Sequence, residues 1–382
     1  MIRVAEVISD TNTGGAGRLL ITRLKNTDRR EFDVRVFLPY GSELKGVLEK
    51  EKIGYSEFEG CADRSFDASA IPLLINAFRI FDPDIVNTHG CLSARIAAAL
   101  IRVPVRISTR HCAYPVSKIY SVPPVRAVGG FIATRLSNRF IAVADAAAEN
   151  LTGMGIPAKK TEIIINGTDR LEKYPADRKK EARKKLGIPE GAFAVGICAR
   201  LEECKGIDVF LRAARLLFLT NGNYYFLIAG KGSREKELRC LCHALGIDEN
   251  VLFCGFLKDV TDFFNCIDLN VNCSRGTETS SLALSEGMSI GLPAVASDYG
   301  GNPYMVRDGE NGLIFKTDDF YGLSKCIYTL SHDRELYKRM SEGALRRFDE
   351  ELNSKIMTEK TEELYKRLYN EYLTVKKSCI IN

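Results

Sequence analysis

The sequence predicts an α/β protein of two domains, each a doubly wound parallel sheet of Rossmann type. Three observations predict it. Short apolar, β-rich runs alternate with longer helical patterns, which is the signature of βαβ units. Twelve such runs occur, too many for one comfortable sheet, and they fall into two groups of six. A polar, strongly charged stretch near residues 170–190, EKYPADRKKEARKKLGIPE, separates the groups. The length of 382 residues suits two domains at roughly 150 residues each.

In the first group the expected strands are Arg3–Ile8, Asp33–Leu38, Ile85–Thr88, Val105–Thr109, Arg139–Val143 and Glu162–Ile165. In the second they are Phe193–Cys198, Tyr224–Ala229, Val251–Cys254, Leu269–Cys273, Ala294–Ser297 and Gly312–Phe315. Pro175 and Pro189 punctuate the stretch between them, and Asp177–Leu186 has the composition of an exposed helix. Beyond Asp333 the chain is helical and charged, with apolar residues at helical spacing around Leu364, Leu368 and Tyr372; that stripe must pack on something. The expected organisation is a first domain at 1–172, a linker at 173–190, a second domain at 191–355 and a terminal helix at 356–382.

Charge excludes several classes. Hydrophobic residues at 45% and charged residues at 27% exclude a disordered or collagenous chain. The most apolar stretch, Ala97–Ile107, is broken by Arg102 and Arg106, short of a membrane span. The first residues, MIRVAEVISDTNTGG, read as a buried strand rather than a signal peptide. Twelve cysteines without a paired CxxC pattern read as reduced, buried thiols of a cytoplasmic protein, with no metal site. Residues 1–190 hold 30 basic and 22 acidic residues, whereas 191–382 hold 24 and 27. Between Asp84 and Asp145 there is no acid but there are eight basic residues, including Arg95, Arg102, Arg126 and Arg135. A one-signed segment suits an anionic partner: lipid headgroups, a lipid diphosphate or another anionic substrate. A merely solvated basic face is the plain alternative. Nucleic acid is not expected, because no nucleic-acid module accompanies the charge.

The chemistry is legible mainly after the strands of the second domain. Arg200 and Lys205 follow Phe193–Cys198 at the carboxyl end of a parallel strand, where doubly wound sheets place ligands. Arg offers a fork and Lys a point charge, a pairing that suits a diphosphate. Gly230-Lys231-Gly232 forms a second small-residue loop. In SRGTETSSLALSEGMSIG (274–291), a helix begins near Ser280 or Ser281, both good N-caps. Glu278 precedes this helix and Glu286 lies about two turns inside it. Eight residues of straight helix span about 12 Å, too far for a cooperating pair of glycosidase carboxyls. Two ends of one extended ligand suit them better. In the first domain Gly14 and Gly15 follow the first strand, as a ligand loop or a structural turn. His89 and Arg110-His111 close two further strands, whereas His243 and His332 read as surface positions.

Taken together, Gly14-Gly15, Arg200…Lys205-Gly206, Gly230-Lys231-Gly232, Glu278-x7-Glu286 and Gly300-Gly301 before Asp308-Gly309-x-Asn311-Gly312 resemble the retaining glycosyltransferases of the GT-B fold, family 4. The resemblance covers nearly the whole chain. It implies two Rossmann-like domains facing across a cleft, with a C-terminal helix crossing back to the first domain. It also implies a nucleotide-sugar donor, commonly a UDP-sugar, a glycan or lipid-linked acceptor, and no metal or cofactor. By this resemblance Arg200 and Lys205 bind the donor diphosphate, Glu278 holds hydroxyls of the transferred sugar and Glu286 the ribose. His111 contacts the transferred sugar, with His89 and Arg110 on the acceptor side. Gly14, Gly15, Gly230, Gly232, Ser281, Leu282, Gly300 and Gly301 line the donor.

Two positions depart from the family pattern. Thr279-Ser280-Ser281 replaces a glycine and an aromatic, and Tyr304 stands where an acid is common. The expected activity is sugar transfer to a hydroxyl in cell-surface polysaccharide or glycolipid synthesis, on the cytoplasmic side, with peripheral contact at the inner membrane face. A sugar-nucleotide epimerase and a non-catalytic sugar-nucleotide-binding protein remain the alternatives.

Overall fold

The structure, a computed structural model, describes residues 1–12, 14–112, 116–220 and 222–381, with side chains through residue 378. It divides into two compact units: Met1–Gly167 with Ser354–Asn382, and Thr168–Asn353.

The first unit is built on seven strands: β1 (Ile2–Ile8), β2 (Phe32–Pro39), β3 (Gly54–Phe58), β4 (Ile85–His89), β5 (Val105–Arg110), β6 (Arg139–Ala142) and β7 (Thr161–Ile163). All pairs are parallel and the order is β3-β2-β1-β4-β5-β6-β7. β1 is an interior strand between β2 and β4, and Val4, Ala5, Glu6, Val7 and Ile8 are buried on both of its faces. Two covered faces explain why Val4–Ile8 reads as an apolar run, interrupted only by Glu6. Sequence reasoning passed over β3, because GYSEF is a half-exposed edge strand with little apolar pattern.

The second unit holds β8 (Phe193–Cys198), β9 (Tyr224–Ala229), β10 (Val251–Gly255), β11 (Leu269–Asn272), β12 (Ala294–Ser297) and β13 (Gly312–Phe315), in the order β10-β9-β8-β11-β12-β13. This is the Rossmann strand order. One face packs Phe210, Phe226 and Leu323, and the other packs Phe263, Phe264 and Ile267.

Two boundaries differ from expectation. The stretch 173–190 is no linker but part of the second unit. Its helix, Ala176–Lys185, buries no residue fully. It is nevertheless held by Lys179 and Arg183, which pair with Asp268 at 2.9 and 3.1 Å. Ile188, just beyond, joins the Phe263 cluster. The chain instead passes between units at Gly167–Thr168 and at Asn353–Ser354.

The terminal helix Ser354–Ile381 belongs to the first unit and buries Leu364, Tyr365 and Leu368. Glu362 Oε1 accepts the Asp28 amide at 2.9 Å, and Tyr365 reaches β1. Among the described residues no helix is long and apolar enough to cross a membrane, and the eleven described cysteines are free thiols.

Candidate active site

In the second unit the strand order reverses between β8 and β11. The loops leaving the carboxyl ends of these two strands stand at that reversal, which is the usual ligand position in such sheets. The loop after β8 carries Arg200 and Lys205. Gly206 turns it into the helix Ile207–Phe218 at φ +63°, and a β-carbon at that position would stand 2.2 Å from the Cys273 carbonyl oxygen. Glycine therefore serves both the left-handed backbone and the close approach of this loop to the end of β11.

That approach places Lys205 Nζ 2.7 Å from Glu278 Oε2. The same oxygen accepts Ser274 Oγ at 2.7 Å and Asn272 Nδ2 at 3.3 Å. Asn272 Nδ2 also donates to Ser281 Oγ at 3.0 Å, so strand, loop and helix cap form one network. Glu278 is buried, which by itself would raise its carboxyl. The Lys205 charge and the hydrogen bonds from Lys205, Ser274 and Asn272 outweigh burial and hold it below the ordinary carboxylate range. Glu278 Oε1 takes no hydrogen bond from the described residues. Chemically, the arrangement is a carboxylate pinned through one oxygen, with the other able to accept from a ligand hydroxyl. The adjacent ammonium also donates to Ser274 Oγ at 3.5 Å, which leaves one of its three N–H groups for a phosphate.

Other predicted residues are placed differently. Ser281 caps the seven-residue helix Leu282–Met288, and its Oγ accepts the Leu284 amide at 3.4 Å; Leu282 is half-buried and Glu286 is buried within the helix. Arg200 is exposed and makes no ion pair or side-chain hydrogen bond among the described residues. It shares its loop with Lys205 but not the Glu278 network. Gly301 spends its amide on the Glu278 carbonyl at 3.2 Å, and a β-carbon there would stand 1.5 Å from Thr279 O. Gly300 likewise seats under the Glu278 carbonyl, and Gly230 and Gly232 lie against the Ala199 and Leu201 carbonyls. For Gly230, Gly232, Gly300 and Gly301 the structure thus shows tight loop packing. Tyr304, the unusual residue of the sequence, donates to Glu351 Oε2 at 2.5 Å.

In the first unit, His89 ends β4 beside Ile8 of β1, and His111 follows β5. Their rings meet at 2.7 Å, His89 Nδ1 to His111 Nε2. His89 Nε2 lies 2.9 Å from Glu6 Oε2. Both ring nitrogens of His89 are therefore engaged within the protein. The Arg110 guanidinium turns to Asn150 Oδ1 at 2.8 and 3.1 Å. Gly14 is the N-cap of the helix Gly15–Asn26, and its amide is taken by Asn12 Oδ1 at 2.9 Å, whereas Gly15 is exposed; Thr13, between Asn12 and Gly14, lies outside the described residues.

Sequence reasoning missed the residues around this histidine pair. Glu6 is fully buried and accepts Tyr365 OH at 2.8 Å, Asn87 Nδ2 at 3.0 Å and His89, with Arg23 at 2.5 Å. Thr109 Oγ1 anchors Asn87 Oδ1 at 2.9 Å. Burial alone would raise the Glu6 carboxyl, but Arg23 and the hydrogen bonds from His89 and Tyr365 hold it at about 2. His111 is pushed down to about 3 by burial and by the neighbouring His89 and Arg23. The signal in the sequence was a lone acid inside an apolar strand, RVAEVI.

Comparison with known proteins places the chain in a family. Residues 178–347 match the family described as Glycosyl transferases group 1, and residues 13–170 match Glycosyltransferase Family 4. EpsD of Bacillus subtilis (strain 168) is 29% identical over 195 residues, a match that spans only about half of either protein, 51% of each. A UDP-Gal:alpha-D-GlcNAc-diphosphoundecaprenol alpha-1,3-galactosyltransferase of Escherichia coli is 24% identical over 347 residues, covering 88% of this chain and 89% of that protein. Among solved structures, Anabaena HepE in complex with UDP superposes with a TM-score of 0.84 at 21% identity, over 96% of this chain and 100% of that one. Two parallel sheets in Rossmann order, the Lys205–Glu278 pair at a strand-order reversal and matches running through both halves lead to one assignment: the chain belongs to the family 4, group 1 glycosyltransferases of the GT-B fold.

Proposed function

We propose that this protein is a retaining, metal-independent glycosyltransferase. It moves a hexosyl group from a UDP-sugar to a hydroxyl of a glycan or lipid-linked acceptor in polysaccharide or glycolipid synthesis. The observation that carries the reading is the Lys205–Glu278 pair: Glu278 Oε2 is fixed by three donors and Oε1 is left for a sugar hydroxyl. In this reading Lys205 and the exposed Arg200 supply the positive charge that meets the departing diphosphate. Preorganised electrostatics of this kind are the largest single contribution in many enzymes. The UDP and UDP-glucose complexes of the Anabaena protein favour a uridine nucleotide. The diphosphoundecaprenol substrate named for the E. coli relative favours a lipid-linked acceptor.

A melting panel of nucleotides and nucleotide sugars tests the donor. A ligand at a hundred times its Kd adds about 2.7 kcal/mol to stability, so the true donor raises the midpoint most. Transfer is then followed with that donor and a set of acceptors, with and without a chelator. The expected outcome is UDP release that requires an acceptor, is unaffected by chelation, and gives a product of unchanged anomeric configuration. An inverted product overturns retention, and acceptor-independent formation of a new sugar nucleotide overturns transfer in favour of epimerisation.

The proposed partner of the first unit is an anionic bilayer surface. The helix Pro123–Leu136 fully buries only Gly130, which seats against the Gly155 carbonyl. Phe131 (59% exposed) and Val128 (57%) point outward, with Ile119, Val122 and Ile132 also exposed. Lys118, Arg126 and Arg135 stand exposed among them. Apolar residues that insert beneath headgroups, flanked by cations that meet them, are the composition of an interfacial helix. Co-sedimentation with phosphatidylglycerol vesicles at low salt should exceed that with phosphatidylcholine. Phe131→Ser with Arg126→Glu should abolish the difference, and equal sedimentation with both vesicles for the unmodified protein overturns this part.

A further inference from the structure

We infer that the second unit carries an arginine-lined anion site that takes a phosphate dianion, free or as a monoester. It lies between the helix Arg334–Arg347 and the turn at 307–311 that leads into β13, and its lining shares no residue with the Lys205–Glu278 network. The inference does not depend on sugar transfer.

The sequence sets up one wall. Arg339, Gly343, Arg346, Arg347 and Glu350 recur at i, i+4, i+7, i+8 and i+11, which is one face of a helix. Gly343 lets that face approach the turn: a β-carbon there would stand 2.0 Å from the Glu310 carbonyl oxygen. The turn itself is fixed. Gly309 takes φ +80°, Glu310 donates its amide to the Arg307 carbonyl at 3.0 Å, and the Asn311 side chain accepts the Arg307 amide at 2.7 Å. Arg307 therefore faces the same cavity as the helix arginines. That cavity measures about 240 Å³ and is lined by four arginines and two glutamates.

The charges are not balanced within the protein. Glu351, outside the lining, takes up two of the guanidiniums: Arg307 Nη2 lies 2.8 Å from its Oε1, and Arg347 Nη1 meets the same oxygen. Arg347 is only 4% exposed; its Nη2 donates to the Tyr304 carbonyl at 2.6 Å, and its Nε has no hydrogen-bond partner among the described residues. It supplies fixed positive charge behind the cavity rather than a contact. Arg339 and Arg346 are exposed and make no ion pair or side-chain hydrogen bond among the described residues. The lining carboxylates do not answer them. Glu310 lies beside Arg307 at 3.8 Å, and Glu350 makes no ion pair among the described residues.

Two free guanidinium forks thus open on one polar cavity with a buried cation behind them. Such forks match phosphate oxygens in pairs, where a lysine would offer only a point charge. The volume suits a phosphate group with a few waters. It is below the roughly 300–1,000 Å³ of sites that enclose a drug-sized ligand, so a whole sugar nucleotide is not the expected occupant.

The test is the melting midpoint of the full chain at pH 8, with potassium phosphate replacing potassium chloride at constant ionic strength. The wild type should show a saturable rise of about 3–6 °C by ten times the Kd. Arg339→Ala/Arg346→Ala, at two exposed positions, should fold normally and lose that rise. Two controls locate it. Lys184→Ala/Arg334→Ala removes the same charge from the larger cavity beside the helix Ala176–Lys185, and Lys205→Ala removes the ammonium beside Glu278; both should keep the rise. No saturable rise in the wild type overturns the inference. So does a rise that survives in Arg339→Ala/Arg346→Ala, or one that is lost in either control. Methyl phosphate, titrated in the same way, separates the two sources. A rise matching that of inorganic phosphate shows that a monoester is held through its phosphate group, and a rise with inorganic phosphate alone restricts the site to the free ion.

Discussion

Lys205→Ala is expected to lower kcat by about 10²–10³, the loss found when one preplaced charge-stabilising donor is removed from an active site. Lys205 is the ammonium held against Glu278 at the carboxyl edge of the second sheet, with one N–H group to spare for a phosphate. Removing it takes away charge stabilisation at the departing diphosphate and also leaves Glu278 buried without its cation. The second effect costs stability, so the melting midpoint must be measured beside kcat. A genuine catalytic loss persists well below that midpoint and at saturating donor. Lys180→Ala is the control. Lys180 is exposed and pairs with the equally exposed Glu190, and its loss should change neither quantity. Wild-type kcat in a folded Lys205→Ala protein removes Lys205 from the mechanism.

Glu6→Gln is expected to destabilise the first unit by about 3–5 kcal/mol, the usual cost of stripping one partner from a buried ion pair. The substitution keeps shape and leaves the Arg23 guanidinium, itself only 5% exposed, without a counter-charge. Urea unfolding monitored separately for the two units checks it, and a change below about 1 kcal/mol would show that the pair is not organised as described. Acid sensitivity gives an independent reading of the same group. Glu6 is lowered from 4.5 to about 2 in the fold, so it contributes stability above pH 4.5 that is lost as pH falls toward 2. His111, lowered from 6.5 to about 3, acts in the same direction: the unfolded chain takes up its proton first, and stability falls from pH 6.5 toward 3. The wild type should therefore lose stability through both windows. Glu6→Gln should keep the upper one and lack the lower, with each proton difference worth about 1.4 kcal/mol per pH unit.

Much of the second unit could be read along the chain because its candidate site residues lie in short loops that follow recognisable strands. All six of its strands were expected, and Arg200, Lys205, Glu278 and Ser281 stand beside strand ends whose direction fixes where they point. The first unit was harder. β3 is an edge strand with mixed exposure, and an edge needs no apolar alternation to pair through its backbone. The linker expected at 173–190 failed for a different reason. Its lysines and arginines looked solvated, but Asp268, almost ninety residues away, gives Lys179 and Arg183 a fixed partner.

By itself, the sequence determined the two doubly wound sheets, the loops that carry the candidate site of the second unit and the family. All of these rest on local periodicity and on residues only a few positions apart. Tertiary structure alone decided which groups share a hydrogen-bond network. Glu6, Arg23, His89, His111 and Tyr365 come from five separate elements, the farthest 359 residues apart in sequence. It also decided that His89 and Arg110 turn inward. The physical reason is that an imidazole or guanidinium looks the same in any sequence; the partner that meets it across the fold fixes its proton, its charge and its direction.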